Sequence, residues 1–311
     1  MLKIPTKGVS RSTHTHNVSL DVFCDWIEGS ILFVDDELSS TDVVDALTED
    51  QIYDDQDMAS EIVSDAWAEL RRRESCVGNG SPFTVGGLRI TRQYDSWQDT
   101  PAHSFCVLLS LAKWYREWAR PFGSDYTEQG ALFEDLTKES LEKLFSGWHI
   151  HQTGWTRTRT NRLAAVVDQV ADHLGESKGV IERWTRPTAN EAGLDLLCYR
   201  PFPDRRVGVP VYLMQCASGG DWEGKLHTPN LNIWRHIVQF AAIPKKAFAT
   251  PFAFLEDEFI RNSALVDGML LDRYRLLSVA DTEEEWVSRP LRRRIIRWAR
   301  PRVRTLPTRS A

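Results

Sequence analysis

No stretch of the 311 residues approaches the roughly 20 consecutive apolar residues that a membrane-spanning helix needs. The first ten residues contain no signal-peptide core, so the expected location is cytoplasmic and no membrane partner is expected. Five cysteines (Cys24, Cys76, Cys106, Cys198, Cys216) are odd in number and never spaced as CxxC. That pattern speaks against structural zinc or a disulfide framework and fits reduced, buried thiols. Low-complexity blocks and internal repeats are also missing. At 42% hydrophobic and 26% charged residues, the composition is that of an ordinary globular protein, with a high count of twelve Trp.

Charge is present but segregated. Residues 1–100 carry 19 acidic against 8 basic residues, a net of −11, whereas residues 286–311 carry nine Arg and no acid. The whole chain sums to −6. A basic, aromatic-interleaved stretch from Arg289 to Arg304 suits a phosphate backbone, with Arg292, Arg293, Arg294 and Arg297 as the contacts. An equally simple reading makes it a docking strip for the acidic first hundred residues.

The length allows one large domain with an extension, or two domains. Residues 1–17 read as a flexible leader in which His14 and His16 could touch a metal, though a plain disordered leader is the simpler reading. Residues 18–125 read as an acidic α+β domain, with a strand or hairpin around Glu28-Gly29 and helices at 59–73 and 101–119. This part carries no motif of chemistry. In the second part, 131–145 and 162–174 read as helices, and 180–184, 194–199 and 209–214 as strands. A helix over 232–240 and a strand over 247–254 complete an α/β order with a mixed central sheet.

Four segments of this second part converge on chemistry. A helix carries Gly130-Ala-Leu-Phe-Glu134-Asp-Leu. The turn Glu191-Ala-Gly-Leu-Asp195 opens a strand, and another strand ends Gln215-Cys216-Ala217. Asp221-Trp222-Glu-Gly-Lys225 follows. This order resembles the PD-(D/E)xK nuclease superfamily, the restriction-endonuclease-like fold, and within it the Mrr-related branch, over about residues 128–280. The resemblance implies a restriction-endonuclease-like core over 126–285 and an Arg-rich tail over 286–311. It implies a Mg²⁺-dependent (or Mn²⁺-dependent) nuclease acting on DNA in a restriction or anti-phage defence setting, as a homodimer or with a partner subunit. Asp195 would be the central metal ligand, beside Glu134 and the Cys216 carbonyl, with Glu191 auxiliary. Gln215 stands where the family has an acid, and Ala217 where it has a lysine; Lys225 is the replacement candidate.

Hard cations such as Mg²⁺ take oxygen ligands, and a nearby lysine neutralises charge developing on phosphate. Each residue also has a plainer reading. Glu134 could pair with Lys138 one turn on; Gln215 could be a satisfied polar residue; Lys225 could be a surface lysine. Asp195 between two leucines is the hardest to explain without a partner or a metal. Cys216 as a nucleophile is disfavoured because no partner His is indicated. Trp222, Arg273 and Arg275 are expected to reach nucleic acid, or else to pack and pair within the fold. The alternative function is a catalytically inactive nucleic-acid-binding or scaffold subunit that keeps the nuclease fold.

Overall fold

The computed structural model describes residues 1–10, 18–123, 126–153, 163–184, 192–279 and 282–309. The chain divides into two compact units: residues 1–124, 251–255 and 273–311 form the first, and 125–250 and 256–272 the second. Among the described residues, no helix is long and apolar enough to cross a membrane.

The first unit begins with α1 (Leu20–Phe33), β1 (Glu37–Ser39), α2 (Ser40–Glu49) and α3 (Gln56–Val77). It continues through β2 (Phe83–Val85), β3 (Arg89–Arg92), α4 (Pro101–Trp114) and the short α5 (Arg116–Ala119). The three strands form an antiparallel sheet in the order β1-β3-β2.

α1 replaces the hairpin expected at Glu28-Gly29. Every residue from Val22 to Leu32 is buried, so this helix is enclosed all round and shows no polar stripe for periodicity to detect. Gly29 serves close packing rather than a turn: a Cβ there would lie 2.9 Å from Leu111 Cδ1 and 3.0 Å from Leu2 Cδ1. The acids of α1 are enclosed because cations meet them. Arg73 Nη1 donates to Asp25 (3.1 Å) and Glu28 (2.9 Å), and Arg273 Nη1 donates to the same two carboxylates at 3.0 and 2.9 Å. Burial alone would raise the Glu28 carboxyl, but the two guanidiniums hold it well below the usual carboxylate range.

The second unit contains α6 (Tyr126–Leu144), β4 (His149–Gln152), α7 (Leu163–Leu174), β5 (Ser177–Lys178), β6 (Leu196–Tyr199) and β7 (Val211–Cys216). It closes with α8 (Leu231–Ile237), β8 (Val238–Gln239), β9 (Lys245–Ala249), α9 (Glu256–Val266) and β10 (Gly268–Leu271). A five-stranded mixed sheet runs β10-β9-β7-β6-β4: β4, β6 and β7 are antiparallel, while β7, β9 and β10 are parallel. β6 is buried along its whole length, as a central strand should be. Leu163, Val166, Val167, Val170 and Leu174 of α7 recur at helical spacing and pack with Leu197, Leu213, Trp234 and Ile237.

The strand expected at 180–184 is instead a single 3-10 turn at Ile181–Arg183. The sheet's first strand is β4, whose sequence His-Ile-His-Gln has one apolar residue and gave no strand signal. β4 lies at the sheet edge and pairs only with β6, so its polar residues carry little desolvation cost.

The chain then returns to the first unit with α10 (Arg273–Leu277), α11 (Glu283–Trp286) and α12 (Arg289–Val303). Two expectations are corrected here. Residues 1–10 are not a flexible leader: Leu2, Ile4 and Val9 are buried, and Leu2 bridges to Thr308. His14 and His16 lie outside the described residues. The Arg-rich segment is not a tail but an amphipathic helix, which buries Leu291, Ile295, Trp298 and Ala299. Trp298 meets Phe105 of α4 edge-on, with ring centroids 4.9 Å apart.

Glu283 caps α4 from far along the chain. Its carboxylate accepts the Ala102 N–H at 2.6 Å and the His103 N–H at 2.8 Å, donors that Thr100 leaves uncapped. Burial pushes its carboxyl up to about 7, outweighing these bonds and the Arg292 charge. A carboxyl raised from 4.5 to about 7 takes up a proton on folding, so its contribution is full below pH 4.5 and is lost as pH rises through 7. We expect unfolding free energy to fall by about 3 kcal/mol across that window, and Glu283→Gln to remove the slope. Urea titrations at pH 4.5, 6 and 8 measure this; an equal slope in the variant would assign it to other groups.

Candidate active site

The carboxyl end of β7 meets the start of β6 at an open cavity of about 680 Å³ in the second unit. Asp195 sits one step beyond the Leu196–Met214 rung, opposite Gln215. Its backbone is fixed from both sides: Asp195 N–H donates to Met214 O (2.9 Å), and Thr153 N–H donates to Asp195 O (2.9 Å). The turn before it needs a glycine. Ala192 and Gly193 both have positive φ, and a Cβ on Gly193 would lie 2.9 Å from Thr228 Cβ and 3.1 Å from Gln215 Oε1. Trp234 Nε1 ties this turn down by donating to Ala192 O at 3.3 Å.

Asp195 is only 7% exposed, and its Oδ2 accepts the Cys216 N–H at 2.6 Å and the Gln215 side-chain amide. Gln215 Nε2 also donates to the Cys216 carbonyl at 3.2 Å. Its Oε1 lies 3.2 Å from the Thr228 hydroxyl, which has one hydrogen and holds the Lys225 carbonyl more closely, at 2.6 Å.

α6 brings Glu134 to the same cavity, together with Gln129 and Gly130. Lys138 pairs with Glu142 one turn further on. Gln129 Nε2 donates to Ser218 O at 3.0 Å, linking the helix to the Ser218-Gly-Gly turn. Lys225 lines the cavity from a 3-10 turn over Trp222–Lys225. The cavity therefore collects Glu134, Asp195, Gln215, Cys216 and Lys225; Glu191 lies outside the described residues. Tyr126, Gln129 and Asp221 also line it and were not assigned a role from sequence. For Asp221 the signal was its position directly after a Gly-Gly turn.

Burial pushes the Cys216 thiol far above its ordinary range, and the Asp195 and Glu134 charges raise it further, against a hydrogen bond with Thr137. A thiol held protonated in this way is no nucleophile. Among the described residues, no three His, Cys, Asp or Glu side chains are grouped to hold a metal by themselves. An oxygen-rich site here would need the neutral Gln215 amide and the Cys216 carbonyl beside the two carboxylates.

Other expected contacts are relocated. Trp222 is 1% exposed and packs near Phe248, with ring centroids 6.4 Å apart, so it has no face to offer a base. Arg273 is fully buried in the first unit's charge cluster, where Asp25 and Glu28 take its donors. Arg275 is exposed on α10. Arg292 is half-buried and its charge acts on Glu283, whereas Arg293, Arg294 and Arg297 are exposed on α12. Compared with protein-family models, with curated proteins and with solved structures, the chain finds no match in any of the three.

Proposed function

We propose that the second unit is a restriction-endonuclease-like domain and that its cavity is a Mg²⁺-dependent nuclease site acting on DNA. The observation that carries this reading is the buried Asp195 carboxylate, set in one cavity with Glu134, the Cys216 carbonyl and Lys225. The helix-first order and the strand order β10-β9-β7-β6-β4 support the same family.

The donor set fits the metal in kind. Glu134 and Asp195 offer carboxylate oxygens, and Gln215 and Cys216 offer amide and carbonyl oxygens, the hard ligands Mg²⁺ takes. The Gln215 amide adds a specific mark. The Thr228 hydroxyl shares its one hydrogen between Lys225 O at 2.6 Å and Gln215 Oε1 at 3.2 Å. Turning the amide end for end gives Thr228 a donor and aims Oε1 at Asp195 Oδ2 and Cys216 O. Such a cluster of oxygens needs a cation or a proton between them. When bound, Mg²⁺ supplies an acidified water and charge stabilisation at phosphate. The chain's own part is positioning: Asp195 and Glu134 hold the cation, and Lys225 places a positive charge beside the phosphate.

A second reading has its own observation. In the present orientation Gln215 Nε2 occupies both Asp195 Oδ2 and Cys216 O, so the acceptors are satisfied without metal. That arrangement, with Ala217 buried at the family's lysine position, describes a nucleic-acid-binding subunit without activity.

Cleavage of plasmid and single-stranded DNA with Mg²⁺ or Mn²⁺ separates the two. Metal-dependent cutting that Glu134→Gln removes supports the nuclease; DNA binding with no cutting supports the second reading. Gln215→Glu is a gain-of-function test. A third carboxylate should lower the Mg²⁺ concentration for half-maximal activity by about tenfold, since about 1.4 kcal/mol of added binding suffices. Unchanged metal dependence would remove Gln215 from the site.

A further inference from the structure

α12 turns a row of four arginines away from the core it packs on. Arg293, Arg297, Arg300 and Arg304 are all exposed and recur at spacings of four, three and four, one helical face. With Gln98, Ile296 and Pro301 they line an open groove of about 460 Å³ in the first unit, and no acid is among its described lining residues. Three other arginines of this segment are engaged. Arg302 stacks on Trp298 with 3.6 Å to the ring centroid, Arg309 pairs with Glu49 and Asp50, and Arg292 acts on Glu283. So the helix docks on the acidic unit through its apolar face and those three residues. The four groove arginines take no part: among the described residues, none makes an ion pair or side-chain hydrogen bond.

Like charges three and four apart destabilise a helix by about 0.2–0.5 kcal/mol per pair. Four unpaired guanidiniums in a chain with nineteen acids in its first hundred residues therefore call for an external anion. The row extends about 16 Å along the helix at a 1.5 Å rise per residue. An anion of closely and evenly spaced charges matches it, and guanidinium forks bind phosphate oxygens in pairs. We propose that this groove binds the phosphate backbone of a nucleic acid without reading its sequence. The site is separate from the cavity of the second unit and does not depend on that cavity being catalytic.

The test uses the full chain and a fluorescein-labelled 20-base-pair duplex in EDTA, so no cleavage can intervene. Affinity is measured by anisotropy from 50 to 200 mM KCl. Each arginine on phosphate should contribute about 0.9 to the slope of log K against log[salt]. Arg297→Ala with Arg300→Ala should flatten the slope by about 1.8 and weaken binding at 100 mM salt by about 60-fold, while the paired Arg→Lys changes keep the slope. Arg293→Ala with Arg304→Ala should flatten it equally, a check independent of any local effect on folding. Three results overturn the proposal: no duplex binding, a slope that neither pair of alanines changes, or displacement of the duplex by polyglutamate at equal charge concentration.

Discussion

Asp195→Asn is expected to reduce Mg²⁺-dependent DNA cleavage by about 1,000-fold or more, equivalent to about 4 kcal/mol at the transition state. Asparagine is the informative change because it keeps an oxygen for the Cys216 N–H, now bonded at 2.6 Å, while removing the charge. Alanine would also strand that donor and the Gln215 amide, at about 1–3 kcal/mol of stability, and so confuse folding with catalysis. Lys225→Ala should cost less, about 100-fold, because a point charge beside phosphate is one contribution among several. It should lower kcat more than it raises KM if the ammonium acts on developing charge rather than on ground-state binding. Cutting that survives Asp195→Asn would sink this active site altogether. Retained activity in Lys225→Ala alone would leave the carboxylates in place and remove the lysine's role.

Arg273→Met is expected to destabilise the first unit by about 3–5 kcal/mol, read as a fall in the urea midpoint without loss of binding sites on the surface. The guanidinium is fully buried and donates to Asp25 (3.0 Å), Glu28 (2.9 Å), the Pro251 carbonyl (3.1 Å) and the Ser110 hydroxyl. Removing it leaves two carboxylates enclosed with Arg73, itself shared with Glu69, as the remaining guanidinium. Lysine should not rescue fully, since one ammonium cannot reach four acceptors arranged for a planar fork. A loss under about 1 kcal/mol would mean that water or Arg73 replaces the missing charge. The same measurement tests the correction made to Arg273: a residue assigned to nucleic acid from its charge is, in the fold, the centre of a buried network.

The outcome for the charged residues shows where sequence reasoning reaches its limit. Arg273 and Arg275 are two positions apart on one short helix, yet one is enclosed and the other exposed. Nothing local distinguishes them, because the partners of Arg273 come from Asp25 and Glu28, almost 250 positions away. α1 was misread for the same reason. Its acids look like the polar side of a hairpin until Arg73 and Arg273 are brought to them. β4 was missed because an edge strand can be polar on both faces. Trp222 was left open between stacking and packing, and only its contact with Phe248 decides for packing.

What the sequence determined by itself is that the second unit alternates helices and strands; the expectation that Glu134, Asp195, Gln215 and Lys225 meet came from the family resemblance. That alternation follows from short-range rules: helical spacing on α6 and α7 and apolar runs for β6 and β7. The structure, not the composition, made the Arg-rich segment an amphipathic helix that buries Leu291, Ile295 and Trp298. Only the tertiary structure decided which arginines are spent inside the protein and which are left facing outward. It also decided that residues 273–309 return to the first unit, and that the Gln215 amide sits between Asp195 and the Cys216 carbonyl. The physical reason is common to all three: charge pairing and amide orientation are settled by neighbours distant in sequence, whereas periodicity and turns are settled within a few residues.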